Sequence, residues 1–226
     1  MLGQLILERN GGGRAERGEL YGLTVLRARA DPEGWLGRGR LRRAGRALRR
    51  SGAVRTLTPV GFAQWELLEA CGLAPVDPLP FLRAQGAALA LGALERQGLT
   101  PDREAVRLQA LRADRELVRA AVELCPRVRH LVIDAPQGGR ELAAWLRREF
   151  GVPVLPEGEG AAVALRFGPG TERETGVSLS LYGGRPDLAG LRVAAPGLDQ
   201  EDRERLPLLA ALWEAGRLPP ERVKIT

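Results

Sequence analysis

The sequence is nearly without lysine, histidine and cysteine. Lys224 is the only lysine, His130 the only histidine, and Cys71 and Cys125 the only cysteines. The two cysteines lie in unrelated surroundings, with no second thiol or imidazole at metal-ligand spacing. A disulfide framework and a zinc site are therefore unsupported, and the pair reads as two buried thiols in a reducing compartment. With a single histidine, any Ser-His-Asp or Cys-His arrangement would have to use His130. That residue lies inside the apolar stretch Val128–Val132 and reads as a strand histidine satisfied by a neighbour. A phosphate-binding loop needs Gly-x-x-x-x-Gly-Lys-Ser/Thr, and the one lysine is two residues from the C-terminus. Gly-x-Gly-x-x-Gly after a strand and the Gly-x-Ser-x-Gly elbow are also missing, so no motif identifies a reaction or a cofactor.

Long apolar runs are missing too. The longest, Gly86–Leu94, is far shorter than the roughly 20 residues that span a bilayer core. Glu8 and Arg9 interrupt Leu5-Ile6-Leu7 before it could serve as a leader. The expectation is a cytoplasmic protein with no membrane partner.

What is abundant is arginine. The 34 basic residues include one lysine, and the chain has one asparagine and three isoleucines. This is what GC-rich codons produce, and it points to a bacterial source. Because arginine never titrates in the accessible range, its use also lifts the pI to 10.4 without altering the net charge of +6. The excess is local: residues 1–60 carry 13 arginines and 5 acids, whereas the remainder is close to neutral. Between Arg38 and Arg50 there are seven arginines and no acid, a density that codon usage alone does not explain.

The periodicity predicts strands over 2–9 and 20–27, joined as a hairpin by a long glycine-rich loop over 10–19. A helix follows over 38–50, with Leu41, Ala44 and Leu48 inward, then a strand over 53–58 and a helix over 60–70. A helix apolar all round runs from Pro80 to Gln97 and should be buried, under the sheet or against a second subunit. Strand and helix then alternate: a strand over 105–111, a helix capped by Asp114, a strand over 128–133, a helix over 140–150 and a strand over 152–155. Such alternation is the signature of βαβ units and parallel pairing. The alternating segments 162–167 and 177–182 read as an antiparallel hairpin, 191–194 as a short strand, and 199–215 as a final helix kinked at Pro207. The predicted fold is α/β: a three-layer, Rossmann-like single domain over 1–226. Its mixed sheet has a parallel centre and antiparallel hairpins at the N-terminus (1–30) and in the last third (161–226), around a βαβ core over 31–160.

In open parallel sheets ligands bind beyond the carboxyl ends of the strands, where helix N-termini present unpaired N–H groups. The turns after positions 57, 111 and 133 would share such an edge. They place Thr58 and Gly61, Arg112 and Asp114, and Asp134, Gln137, Gly138 and Gly139 in the candidate ligand site. Asp134 is the sharpest of these, a carboxylate at the end of an apolar strand; the plain alternative is that Asp and Gly simply make the turn. If the strand at 20–27 runs parallel to that at 53–58, Arg38 and Arg40 join the same edge and favour an anionic small molecule or nucleotide. A second reading places a nucleic acid or an acidic partner on Arg42, Arg43, Arg46, Arg49 and Arg50. With only Trp35 nearby for stacking, single strands are disfavoured and nucleic acid is the less favoured partner. A third reading is a structural homo-oligomer without chemistry, packed through the small-residue helix. The paired acids Glu157/Glu159 and Glu172/Glu174 could serve acid–base work but read as solvated turns.

Overall fold

A computed structural model of the chain describes residues 1–9, 11–151, 154–155, 160–169 and 176–226. Its strands are β1 (Leu2–Leu7), β2 (Gly12–Leu20), β3 (Leu23–Ala30), β4 (Arg55–Leu57), β5 (Ala74–Pro75), β6 (Ala105–Gln109), β7 (His130–Asp134), β8 (Val154–Leu155), β9 (Val163–Arg166), β10 (Val177–Ser180), β11 (Val193–Ala194) and β12 (Lys224–Ile225). Its helices are α1 (Gly37–Arg50), α2 (Trp65–Glu69), α3 (Leu79–Ala84), α4 (Gly86–Arg96), α5 (Arg115–Leu124), α6 (Gly139–Phe150) and α7 (Leu206–Glu214). They divide between two compact units, Met1–Pro78 with Ala195–Arg222, and Leu79–Ala194 with Val223–Thr226.

The first unit holds a sheet of order β2-β3-β1-β4-β5, in which every pair except β2–β3 is parallel. Helix α1 lays Leu41, Ala44 and Leu48 against Leu5, Leu26 and Ala28 of the strands and Leu68 of α2, all buried. Those positions recur three and four residues apart, the spacing that puts them on one helix face. The N-terminal hairpin is real but differs from the one expected. The polar segment 12–20 is an edge strand rather than a loop, and it turns back at Tyr21-Gly22 to pair with β3, while β1 runs parallel to β3. An edge strand is held by its backbone ladder and has water along one side, so it needs no apolar alternation. Glycine punctuation therefore misplaced it.

The second unit holds an all-parallel sheet. From β8 to β10 the strands come third, second, first, fourth and fifth in chain order, the doubly wound arrangement. Val106, Leu108, Leu131, Val163, Leu165 and Leu179 are buried on this sheet. The expected hairpin of 162–167 with 177–182 is overturned: β9 and β10 are parallel. Alternation reports which face is buried and is blind to strand direction. The short antiparallel pair in this unit is β11 with β12 instead.

Helix bounds also moved. The apolar helix over 80–97 breaks at Gln85 into α3 and α4, whereas α2 begins only at Trp65 and α7 only at Leu206, because Pro207 suits a first helical turn. Of the strand expected over 152–155, residues 152–153 lie outside the described residues, as do Glu157, Glu159, Glu172 and Glu174. Among the described residues, no helix is long and apolar enough to cross a membrane.

The start of α1 depends on one glycine. A Cβ on Gly37 would lie 2.0 Å from the Pro32 carbonyl oxygen, whereas one on Gly39 would meet nothing within 4 Å. Gly37→Ala should therefore lose about 1–3 kcal/mol, the usual cost of overpacking. Gly39→Ala should gain up to about 1 kcal/mol from helix propensity. Urea unfolding midpoints of the two variants check the contrast.

Candidate functional site

The three turns expected at one rim belong to two sheets. Thr58 and Gly61 follow β4 of the first; Arg112, Asp114, Asp134, Gln137, Gly138 and Gly139 follow β6 and β7 of the second.

On the second sheet the chain order reverses between β6 and β9, which makes their carboxyl ends the switch point. Parallel register sets Gln109 beside Asp134 on one side and beside Arg166 on the other. The Gln109 amide Nε2 donates to Asp134 Oδ2 at 3.1 Å, both residues being less than a tenth exposed. Asp134 thus braces two strand ends. Asp114 caps α5, its Oδ1 accepting from the Leu117 N–H at 3.0 Å. Beyond the strands, Ala113 N–H donates to the Gln137 carbonyl at 2.8 Å and prolongs the β6–β7 pairing to Arg112 and Gln137. Gly138 takes φ +78°, which glycine adopts without strain, and Gly139 brings α6 to within van der Waals reach of Ala135. On the β9 side, Arg83 Nε donates to the Leu181 carbonyl at 2.8 Å and its Nη2 to Phe167 at 3.0 Å. Of the residues predicted here, Arg112 and Gln137 share a backbone bridge, whereas Asp134 and Asp114 are engaged with the Gln109 amide and the Leu117 N–H. Arg107, Gln109 and Arg166, which share the Asp134 side of the sheet by register, were hidden in the sequence inside apolar-looking strands. His130 opens β7, at the opposite end of the strand from this edge.

The first sheet is more open. Because β3, β1 and β4 are parallel, the turns after β3 and β4 do leave from one edge, as the sequence suggested. Arg40 is committed there: its Nη1 meets Asp31 Oδ2 at 2.7 Å, and Asp31 Oδ1 accepts the Glu33 N–H at 2.9 Å. Arg38 reaches Glu66 at 3.5 Å in an exposed pair, an arrangement that contributes little. Past β4 and β5 lies a cleft of about 830 Å³. One wall is Thr58, Val60, Gly61, Phe62 and Trp65; the other is the returning segment from Gln200 to Pro207. Phe62 and Trp65 meet edge to face, centroids 5.7 Å apart, and Val60 is 81% exposed.

The returning segment and the helix α7 that follows it are held by three polar ties. Arg205 donates to the Thr58 carbonyl and pairs with Asp202 at 3.0 Å. Arg55 forks onto both carboxylate oxygens of Glu214, at 3.0 and 2.7 Å. The Tyr21 hydroxyl lies 2.8 Å from Asp199 and 2.9 Å from Asp202, donating to one at a time. By contrast, the side chains of Arg203 and Glu201, which also line the cleft, make no hydrogen bond or ion pair among the described residues. Phe62 and Trp65 fall within the helix expected over 60–70, whose spacing did not mark them as cleft residues. Nothing in the sequence linked residues 200–207 to β4.

The seven arginines of α1 fall on different sides. Arg38 and Arg49 lie toward α2 and the turn after it: Arg49 passes 3.2 Å from where a Gly72 Cβ would be and donates to the Ala53 carbonyl at 3.2 Å. Arg43, Arg46 and Arg50 instead line a groove shared with Gly12, Gly13 and Arg14 of β2. Cys71 and Cys125 are free, and burial pushes the Cys125 thiol up, which makes it a poor nucleophile. Among the described residues no three of His, Cys, Asp and Glu come together as metal ligands.

The fold and its two carboxyl edges define an α/β protein of the Rossmann-like class. No family model matches the sequence, and no curated protein matches it. Among solved structures it is similar to the L-tryptophan dehydrogenase from Nostoc punctiforme, with 16% identity and a TM-score of 0.31 over 63% of this chain and 43% of that one. The match thus spans less than half of the dehydrogenase, and no residue role passes from it.

Two outcomes follow. Asp134→Ala removes a buried hydrogen bond between the ends of β6 and β7 and should cost about 0.5–1.5 kcal/mol or more, read as a lowered denaturation midpoint. The Tyr21 phenol is raised above its ordinary value of 10.0, first by lost hydration and then by the carboxylates of Asp199 and Asp202. The folded state therefore holds this proton more tightly than the unfolded one. Its stabilisation is complete below pH 10 and fades as pH rises above it. Alkaline titration at the tyrosinate absorbance should show a step later than that of a free phenol, which Tyr21→Phe removes.

Proposed function

We propose that this protein binds a small anionic ligand with a planar ring, of the nucleotide class, in the cleft beyond β4 and β5. The observation that carries the reading is the cleft itself: a space of about 830 Å³ with an aromatic wall, facing a wall that holds an uncommitted guanidinium. Ligand pockets run to about 300–1,000 Å³ and combine apolar surface with a few polar groups. Trp65 and Phe62 supply the surface for a ring. Arg203 supplies a planar donor fork suited to phosphate or carboxylate. The Thr58 hydroxyl and the Glu201 carboxylate can hold sugar hydroxyls. The location beyond parallel strand ends agrees with where such folds take ligands. The second sheet's edge is the weaker candidate, because Asp134, Asp114 and Arg83 already satisfy neighbouring groups.

Isothermal titration of the full chain with adenosine monophosphate, adenosine and inorganic phosphate tests this. The monophosphate should bind more tightly than adenosine. Arg203→Gln should weaken only the phosphorylated ligand, by roughly 10-fold or more, as befits loss of a charged hydrogen bond. Trp65→Leu should weaken both. If no nucleotide, sugar phosphate or carboxylate binds, or if Arg203→Gln changes nothing, the reading fails.

A further inference from the structure

We propose a second anion site, independent of the cleft: the groove between β2 and α1, which takes the phosphate backbone of a duplex nucleic acid. The groove has a volume of about 880 Å³, and four arginines line it: Arg14 from the strand and Arg43, Arg46 and Arg50 from the helix. All four are exposed, and none of their side chains makes a hydrogen bond or ion pair among the described residues. No acidic residue lines the groove. Several other arginines of this unit face carboxylates: Arg40 with Asp31, Arg55 with Glu214, Arg205 with Asp202, Arg29 with Glu8. In this groove four such charges converge with no carboxylate among the lining residues.

The backbone builds it. The β2–β3 register slips between Gly12 and Ala15, and Gly13 takes φ +66° within the slip. A Cβ on Gly13 would lie 3.2 Å from Cγ and Cδ of Arg43, so the glycine lets strand and arginine stem meet. The slip places Arg14 opposite the helix arginines. Along α1, Arg43, Arg46 and Arg50 recur on one side over about 10 Å of axis at 1.5 Å per residue.

The lining selects among polyanions. Apart from the four arginines it consists of glycine, alanine and Ser51. It offers no aromatic face for unstacked bases, which single-strand binding uses. It offers no apolar pocket for the anchor side chains on which protein interfaces depend. What remains is a row of planar, permanently charged donors, which contact phosphates without reading sequence.

Fluorescence anisotropy of the full chain with a labelled 20-base-pair DNA duplex of arbitrary sequence tests the proposal. Four phosphate contacts predict an affinity that falls roughly 100-fold between 50 and 200 mM salt. Arg43→Glu should reduce the salt slope by about one or more. Arg42→Glu makes the same charge change on the same helix but outside the groove, and should leave the slope nearly intact. Arg43→Gln, milder toward the fold, should fall between wild type and Arg43→Glu. Equal losses for Arg42→Glu and Arg43→Glu would overturn the proposal, as would the absence of duplex binding or tighter binding to polyglutamate than to the duplex. The residues and ligand differ from those of the cleft, so either site can fail alone.

Discussion

Parallel strands cannot be joined by a tight turn. Each must be followed by a connection that climbs back to the start of the next strand, and this sends all the outgoing turns to one edge and all the returns to the other. The consequences are visible in both sheets. In the first, the chain leaves β3 for α1 and β4 for α2 at the same edge, and the cleft lies beyond β4 and β5. In the second, the reversal of order between β6 and β9 gathers Gln109, Asp134 and Arg166 into neighbouring register positions. Neither grouping requires residues close in sequence.

The second organising fact is that arginine remains charged. A guanidinium must face a carboxylate, a row of carbonyls or water, and its partner identifies its role. Arg83 serves carbonyls at the ends of β9 and β10, and Arg205 ties a returning segment to the end of β4. Arg40 fixes the turn after β3 through a largely buried Asp31. These are structural arginines. Arg203 in the cleft and the four arginines of the β2–α1 groove combine side-chain forks uncommitted among the described residues with a place in a concave surface. Functional surface in this chain is better sought through charge balance than through charge itself.

Much of this was legible in the sequence. Helix faces read correctly where apolar residues recur at helical spacing, as with Leu41, Ala44 and Leu48, and Asp114 was identified as a cap from its position alone. The α/β class followed from alternation between strands and helices. What failed were features that side-chain patterns do not encode. Strand direction is one: β9 and β10 alternate as a hairpin would, yet run parallel. Edge strands are another, since β2 is held by backbone pairing and carries glycine and charge throughout. Division into two sheets is a third, because local periodicity says nothing of which strands become neighbours. The candidate site was legible to the same degree. Thr58 and Gly61 line the cleft, but not beside the turns after β6 and β7; Arg203 comes from a segment almost 150 residues away, and Arg14 was assigned to a loop.

The central claim is that the open edge beyond β4 and β5 receives a ring-bearing anion. Amide chemical-shift mapping by NMR, with adenosine monophosphate added to the isotopically labelled chain, addresses it directly. The account predicts saturable shifts concentrated in residues 58–65 and 200–207. Shifts confined to the turns after β6 and β7, or none at millimolar ligand, would contradict it.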